Sequence, residues 1–179
     1  MRWRPLLLFM PALLLLPHTA ARATTMVAQT LEQLSQRSAA VVRATVVSTS
    51  TSYDALHRIE TVAHVRVTES LQGALDAGMD VDVHAPGGLL DGVILTVTGS
   101  PVFADGEDTI LFLDGTNGPA LMVTDLGQGK FEVRRDAQGH ERLTRESLEG
   151  VEFTLGPSAQ SGLSLTQLRQ RVRSSRLVR

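Results

Sequence analysis

The chain contains no cysteine, which excludes thiol nucleophiles, thiolate-held zinc and dithiol redox chemistry from its own repertoire. It also lacks the marks of several non-globular classes. Charged residues make up 20% and hydrophobic residues 42%, so the apolar-poor, highly charged balance of a disordered chain is missing. Fifteen glycines and seven prolines among 179 residues fall far short of a collagen. No apolar run reaches the roughly 20 residues that a membrane-spanning helix needs. The longest, Leu6 to Leu16, holds 11 and is interrupted by Pro11. There is no internal repeat, no low-complexity tract and no stretch long enough to link two domains. One globular domain remains.

Residues 1–23 have the grammar of a signal peptide. Arg2 and Arg4 precede the Leu-rich run, and Ala21-Arg22-Ala23 supplies the small-x-small pattern that signal peptidase reads. Cleavage after Ala23 leaves residues 24–179 as the mature domain, exported to a periplasm or to the cell exterior and with no stable membrane span. That cut removes three arginines and no acid, so the mature body is acidic. Five of the last eleven residues are arginine, namely Arg169, Arg171, Arg173, Arg176 and Arg179. An acidic body repels phosphate backbones, which argues against nucleic-acid binding. The basic tail suits the negative end of a helix dipole, an anionic lipid or an acidic partner.

Periodicity then assigns the elements. Thr30 and Gln33 form a capping-box pair ahead of Leu31 and Leu34, which predicts a short N-terminal helix. Ser164 and Gln167 repeat the signal ahead of Leu165, Leu168 and Val172, predicting a basic C-terminal helix over about 164–179. Between them the pattern is β. The run Ala39 to Val47 is β-branched, and Arg58 to Thr68 alternates with Ile59, Thr61, Ala63, Val65 and Val67 on one face. Shorter strand-like runs follow at Val81–Ala85, Val93–Val97, Thr109–Leu113, Leu121–Thr124 and Phe131–Val133. Turn signals at Pro86-Gly87-Gly88, Asp91-Gly92, Asp105-Gly106, Asn117-Gly118 and Gly156-Pro157-Ser158 punctuate them. Asp136 to Glu146 is polar and loop-like. The expectation is a mainly β barrel or sandwich with Val41, Val65, Val67, Val83, Val97, Phe112 and Phe131 in its core.

Three stretches carry a family resemblance. Ser38 to Ser48 contains Val41, Val42, Arg43 and Ala44; His64 to Gly73 ends in Gln72-Gly73; Ala104 to Leu113 opens on Gly106-Glu107 before an apolar run. Together they resemble the netrin-like domain of tissue inhibitors of metalloproteinases, over about the first two-thirds of the mature chain. The chain looks like a cysteine-free, bacterial-type secreted relative. The resemblance implies an OB-like Greek-key five-stranded barrel with an extra hairpin and short terminal helices, acting as a secreted binding module and not as an enzyme. In that family a Cys-x-Cys segment, pinned by disulfides, chelates a protease zinc through its N-terminal amine and carbonyl. Here Thr24-Thr25-Met26-Val27 stands in its place. A free amine at Thr24 can still ligate a metal, but an unpinned terminus must be ordered at a cost of about 1–2 kcal/mol per residue.

Catalytic constellations fail on inspection. Ser100 lacks the second glycine of a nucleophile elbow, His140-Glu141 has no second His at zinc-protease spacing, and Phe131 replaces the Ser or Thr of a phosphate loop after Gly127-Gln128-Gly129-Lys130. No catalytic residue, cofactor or metal ligand is assigned. The alternative is a small metal-dependent enzyme. Pairing Val65 with Val83 would set His64 opposite His84 and Arg66 opposite Asp82 on the outer sheet face. The favoured site is a protein-binding edge: Thr24, Thr25, Met26 and Val27 together with Gly87, Gly88, Leu89 and Leu90. There paired glycines let another backbone approach, beside two adjacent apolar side chains. Its partner is expected to be a protein or a cell-envelope component.

Overall fold

The structure is a computed structural model that describes residues 24–115, 120–145, 148, 150–153 and 162–176. The expected signal peptide, the Asn117-Gly118 turn, the Gly156–Ser158 break and the last three residues of the C-terminal helix lie outside them.

The described fold is mainly β with two α-helices. In chain order it runs β1 (Thr24–Met26), α1 (Leu31–Arg37), β2 (Ala40–Tyr53), β3 (Ile59–Gln72), β4 (Asp80–Pro86), β5 (Gly88–Leu90), β6 (Val93–Leu95), β7 (Asp108–Asp114) and β8 (Leu121–Val123). It continues with a 3-10 turn (Leu126–Gly129), β9 (Lys130–Arg135), β10 (Glu141–Thr144), β11 (Val151–Phe153), β12 (Leu163–Ser164) and α2 (Leu165–Arg176).

Five strands close a ring of pairings, β2-β3-β4-β8-β7 and back to β2. Every step is antiparallel except β4 to β8. Strand β7 serves three neighbours by dividing one of its edges: Thr109–Leu111 pair with β9, and Leu113 and Asp114 pair with β8. From β9 the sheet continues outside the ring through β10 to β12. Strand β2 breaks register with β3 at Val41/Val42, Arg43/Ala44 and Val46/Ser48. Such bulges bend a strand and raise its twist, which a narrow closed ring demands.

Two cores follow from the ring having an inside and an outside. Inside lie Val42, Ala44, Val46, Ala63, Val65, Val67, Val83, Ala85, Leu111 and Leu113, mostly small side chains, as a five-stranded enclosure requires. Outside, α1 and α2 cover Val41, Ile110, Phe112, Phe131 and Leu143 with Leu31, Leu34, Leu165, Leu168 and Val172. Strands β2 and β7 are therefore buried on both faces near Val41–Val42 and Ile110–Leu113, all fully enclosed. A strand covered on both sides needs no alternation, which is why those segments are unbroken apolar runs. Each fully buried Leu, Ile, Val or Phe stabilises the fold by about 1.5–3 kcal/mol.

Both helices begin as their sequences dictate. The Thr30 hydroxyl accepts the Gln33 amide N–H, while the Gln33 side chain accepts the Thr30 N–H. Ser164 and Gln167 repeat the exchange in front of α2. Arg169 then forks onto the Glu69 carboxylate at 2.8 and 2.5 Å, tying α2 to β3.

Val41, Phe112 and Phe131 are buried as expected, in the outer core beneath the helices, because adjacent residues of a two-faced strand point to opposite cores. Three expectations are corrected. Val97 is half-buried in irregular chain beyond β6. Within the polar stretch after Asp136, Glu141–Thr144 form β10, returning on β9 through a turn in which Asp136 accepts the Gln138 and His140 N–H groups. The β3–β4 register is displaced by two residues: Val65 pairs with Val81, His64 with Asp82 and Arg66 with Asp80. A two-residue slide keeps every side chain on its face, so burial alone does not select between registers. The tight turn Asp76–Met79 and the Arg66–Asp80 fork at 2.8 and 2.9 Å accompany the observed one.

Candidate functional site

The expected edge falls on two small two-stranded sheets outside the ring. The first pairs β1 with β11 in parallel, Thr24 beside Val151 and Met26 beside Phe153. The Thr24 N–H donates to the Gly150 carbonyl at 2.9 Å, so that nitrogen is spent within the fold. The following residues are held by Gln128, which is 1% exposed. Its Oε1 accepts the Gln29 N–H at 2.9 Å and its Nε2 donates to the Val27 carbonyl at 3.2 Å. A carboxamide thus pins the segment where the resembled family uses disulfides. Thr24 and Thr25 are exposed, Met26 is half-buried, and Val27 is 56% exposed.

The second sheet is the β5–β6 hairpin. Asp91 and Gly92 form its two-residue turn with φ of 49° and 79°, the left-handed pair that a tight hairpin needs. The glycines at its base are used internally. A Cβ on Gly88 would lie 2.7 Å from the Thr61 hydroxyl and 2.9 Å from a Thr51 methyl, and one on Gly87 would lie 2.6 Å from the Leu95 carbonyl. The close approach they permit is therefore made by this chain's own β2, β3 and β6. The Thr61 hydroxyl also donates to the Gly87 carbonyl at 2.8 Å. Anchored in this way, the hairpin leaves Leu89 60%, Val93 56% and Ile94 71% exposed, with Leu90 half-buried. A cleft of about 370 Å³ runs beneath it, lined by Thr49, Thr51, Thr61, Leu95 and Phe103.

The two halves meet through a two-residue bridge. Gly99 packs against Met26 and accepts the Gly127 N–H at 2.8 Å. The neighbouring Ser100 hydroxyl donates to the Pro86 carbonyl at 2.7 Å, at the base of β5. Ser100 is therefore a structural clasp. Val93 and Ile94, and Val102 at 64% exposure, were missed as surface residues by sequence reasoning. The available signal was the apolar run Val93-Ile94-Leu95 directly after an Asp-Gly turn, because a hairpin standing off the ring has no interior to bury it.

The histidine face has a different chemistry from the one expected. His64 Nδ1 lies 2.5 Å from Asp82 Oδ1, and His84 Nδ1 lies 3.1 Å from Glu60 Oε2. The observed register gives each imidazole its own carboxylate and does not set the two opposite each other. Among the described residues no group of three or more His, Cys, Asp or Glu is placed to hold a metal ion. The acids around Gly106 are likewise engaged: Asp105 accepts from Thr49, Glu107 pairs with Lys130 at 2.6 Å, and Asp108 takes the Arg43 fork at 2.9 and 2.6 Å.

The residues that carry the resemblance all have structural work. Arg43, on β2, bridges Asp108 of β7 and Glu141 of β10. Gln72 accepts the Ser35 hydroxyl and donates to the Ser35 and Ser38 carbonyls, fastening the end of α1. Gly73, at φ 90°, lets the chain pass Ala39 and Ala40. No protein-family model matches the sequence, and no curated protein matches it. Among the described residues no helix is long and apolar enough to cross a membrane.

Proposed function

We propose that this chain is an exported, non-catalytic binding module on an OB-type barrel, a cysteine-free relative of the netrin-like domains. It takes a protein or another envelope component on the edge formed by the β5–β6 hairpin and Thr24–Val27. The ring order supports the OB-type reading: an antiparallel β2-β3-β4 meander, a parallel step to β8 and an antiparallel return through β7. That order is what favours reading the five-strand ring as a Greek-key barrel of the OB type. The Arg2/Arg4, Leu-rich and Ala21/Ala23 arrangement supports export to a periplasm or the exterior, with cleavage after Ala23.

The observation that carries the binding role is the apolar surface of Leu89, Val93 and Ile94 on an anchored hairpin. Apolar area removed from water stabilises a contact by about 25 cal/mol per Å², and loops on a rigid scaffold commonly carry recognition. Protease inhibition through the Thr24 amine is the weaker form of this reading, because the Thr24 nitrogen must first leave Gly150.

The test compares capture of envelope components by the wild type, by Leu89→Asp with Ile94→Asp, and by a deletion of residues 24–27, each checked for folding. Loss of the same partner in the folded variants is expected. Unchanged capture in both sinks the edge, and stoichiometric zinc in the purified protein would move the reading to the metal-dependent enzyme. Mass spectrometry of exported protein beginning at Thr24 is expected, and an intact Met1 on cytosolic protein overturns export.

A further inference from the structure

On another side of the ring a cleft of about 660 Å³ is lined by Val102, Glu107, Lys130, Glu132, Arg134 and Arg145, among others. Its cations do not share the same circumstances. Lys130 and Glu107 form a pair at 2.6 Å with side chains 5% and 8% exposed, and Arg134 pairs with Glu132 at 2.8 Å. Arg145 is only 9% exposed, and its buried Nε has no hydrogen-bond partner among the described residues. Nor does any described carboxylate pair with it, and burial alone lowers its pKa to about 10. Its guanidinium carbon lies 4.7 Å from the centre of the Phe131 ring. That contact leaves the buried Nε–H without a partner among the described residues.

A buried charge without a counter-charge is costly, and removing water strengthens whatever anion reaches it. We propose that this cleft is a binding site for a small monocarboxylate, held in the plane of the Arg145 guanidinium. The planar fork matches a carboxylate in a two-bond arrangement. The charge of the lining selects against a dianion: Glu107, Glu132 and Asp105 border the same space, and the two neighbouring cations already have acidic partners. A single negative charge balances the Arg145 guanidinium, which no described carboxylate pairs with. The volume fits a small molecule.

The test titrates the full chain with sodium acetate and sodium benzoate, with sodium phosphate and sodium chloride as comparisons at constant ionic strength. The Arg145 Nε–H resonance and the melting temperature are followed. A saturable downfield shift of that resonance and a higher Tm with acetate or benzoate, absent with chloride and phosphate, are expected. Arg145→Met keeps an apolar stem on Phe131 without the charge. It should melt above the wild type when no ligand is present and lose the saturable Tm response. Arg145→Lys should weaken binding at least tenfold, because a point charge replaces the fork. The proposal is overturned if no carboxylate shifts the resonance of the wild type, if phosphate shifts it as strongly, or if Arg145→Met responds like the wild type. The wild-type resonance decides the matter even if both variants fail to fold.

Discussion

Gln128 binds Gln29 across the fold, its side-chain oxygen accepting the backbone N–H at 2.9 Å while its amide nitrogen reaches the Val27 carbonyl at 3.2 Å. No disulfide is needed to hold the N-terminal segment when one buried carboxamide satisfies both a donor and an acceptor of its backbone. Gln128→Ala strips both partners, and leaving such groups unmet costs about 1–3 kcal/mol. A lower urea midpoint and faster hydrogen exchange at Gln29 are the expected outcomes. An unchanged Gln29 exchange rate would show that β1 alone holds the segment.

Phe112 and Phe131 face each other at a centroid distance of 5.9 Å and a tilt of 58°, beneath both helices. Phe112→Ala should destabilise the protein by about 3–5 kcal/mol, as expected for a large aromatic deleted from a closed core. Denaturant unfolding measures it. A loss below 1 kcal/mol would mean that the helical cover does not close over this pair.

Gly73 follows β3 with a positive φ. At φ 90° a Cβ there would stand 2.5 Å from the Ala39 carbonyl oxygen and 2.8 Å from the Ala40 Cα, both rigid backbone. Gly73→Ala therefore combines left-handed strain with a steric clash and should cost several kcal/mol, on the order of 2–4. Gly139→Ala is the control, because its φ is 82° and nothing lies within 4 Å. Its loss should be about 1 kcal/mol. Equal losses would remove the packing argument at Gly73.

Acid should unfold the protein for a traceable reason. A side-chain hydrogen bond from Arg43 holds the Glu141 carboxyl below its ordinary 4.5. Hydrogen bonds, led by those from the Arg58 N–H, the Arg66 side chain and the His140 N–H respectively, lower Asp54, Asp80 and Asp136 below 3.8. For each, the unfolded chain binds the proton more tightly, so their stabilisation is complete above the unfolded values and is lost as pH falls through the folded ones. Asp125, raised chiefly by burial, acts in the opposite sense. The four lowered groups each lose stabilisation on acidification, and Asp125 gains it. Urea midpoints should hold between about pH 7 and 5 and then fall, with a shallower fall in Glu141→Gln. An identical slope in that variant would dismiss Arg43–Glu141 as a source.

Legibility in the sequence followed the strength of local chemistry. Both capping boxes and the alternation of β3 were readable because each depends on neighbours a few residues away. Strand β10 was not, since Leu143 is its single buried residue among polar ones. The β1–β11 pair has three residues on each side and no pattern to announce it. The histidine geometry failed for a different reason, as hydrophobic alternation is blind to a two-residue slide. At the edge, the glycine pair was read as room for another chain, whereas the close neighbours of Gly87 and Gly88 are this chain's own Leu95 carbonyl and the Thr51 and Thr61 side chains. The hairpin's exposed Ile94 was hidden because Val93–Val97 reads as one strand-like run with Val97 in the core.

The parallel pairing of Thr24–Met26 with Val151–Phe153 also orders events in time. The long β2–β3 hairpin closes locally and is complete once residue 72 exists, whereas β1 must wait for residues more than a hundred positions downstream. Contacts of such separation bear the largest loop-closure entropy and form late. A nascent or C-terminally shortened chain that stops before residue 151 therefore carries Thr24–Met26 without a strand partner, even where Gln128 already holds Val27 and Gln29.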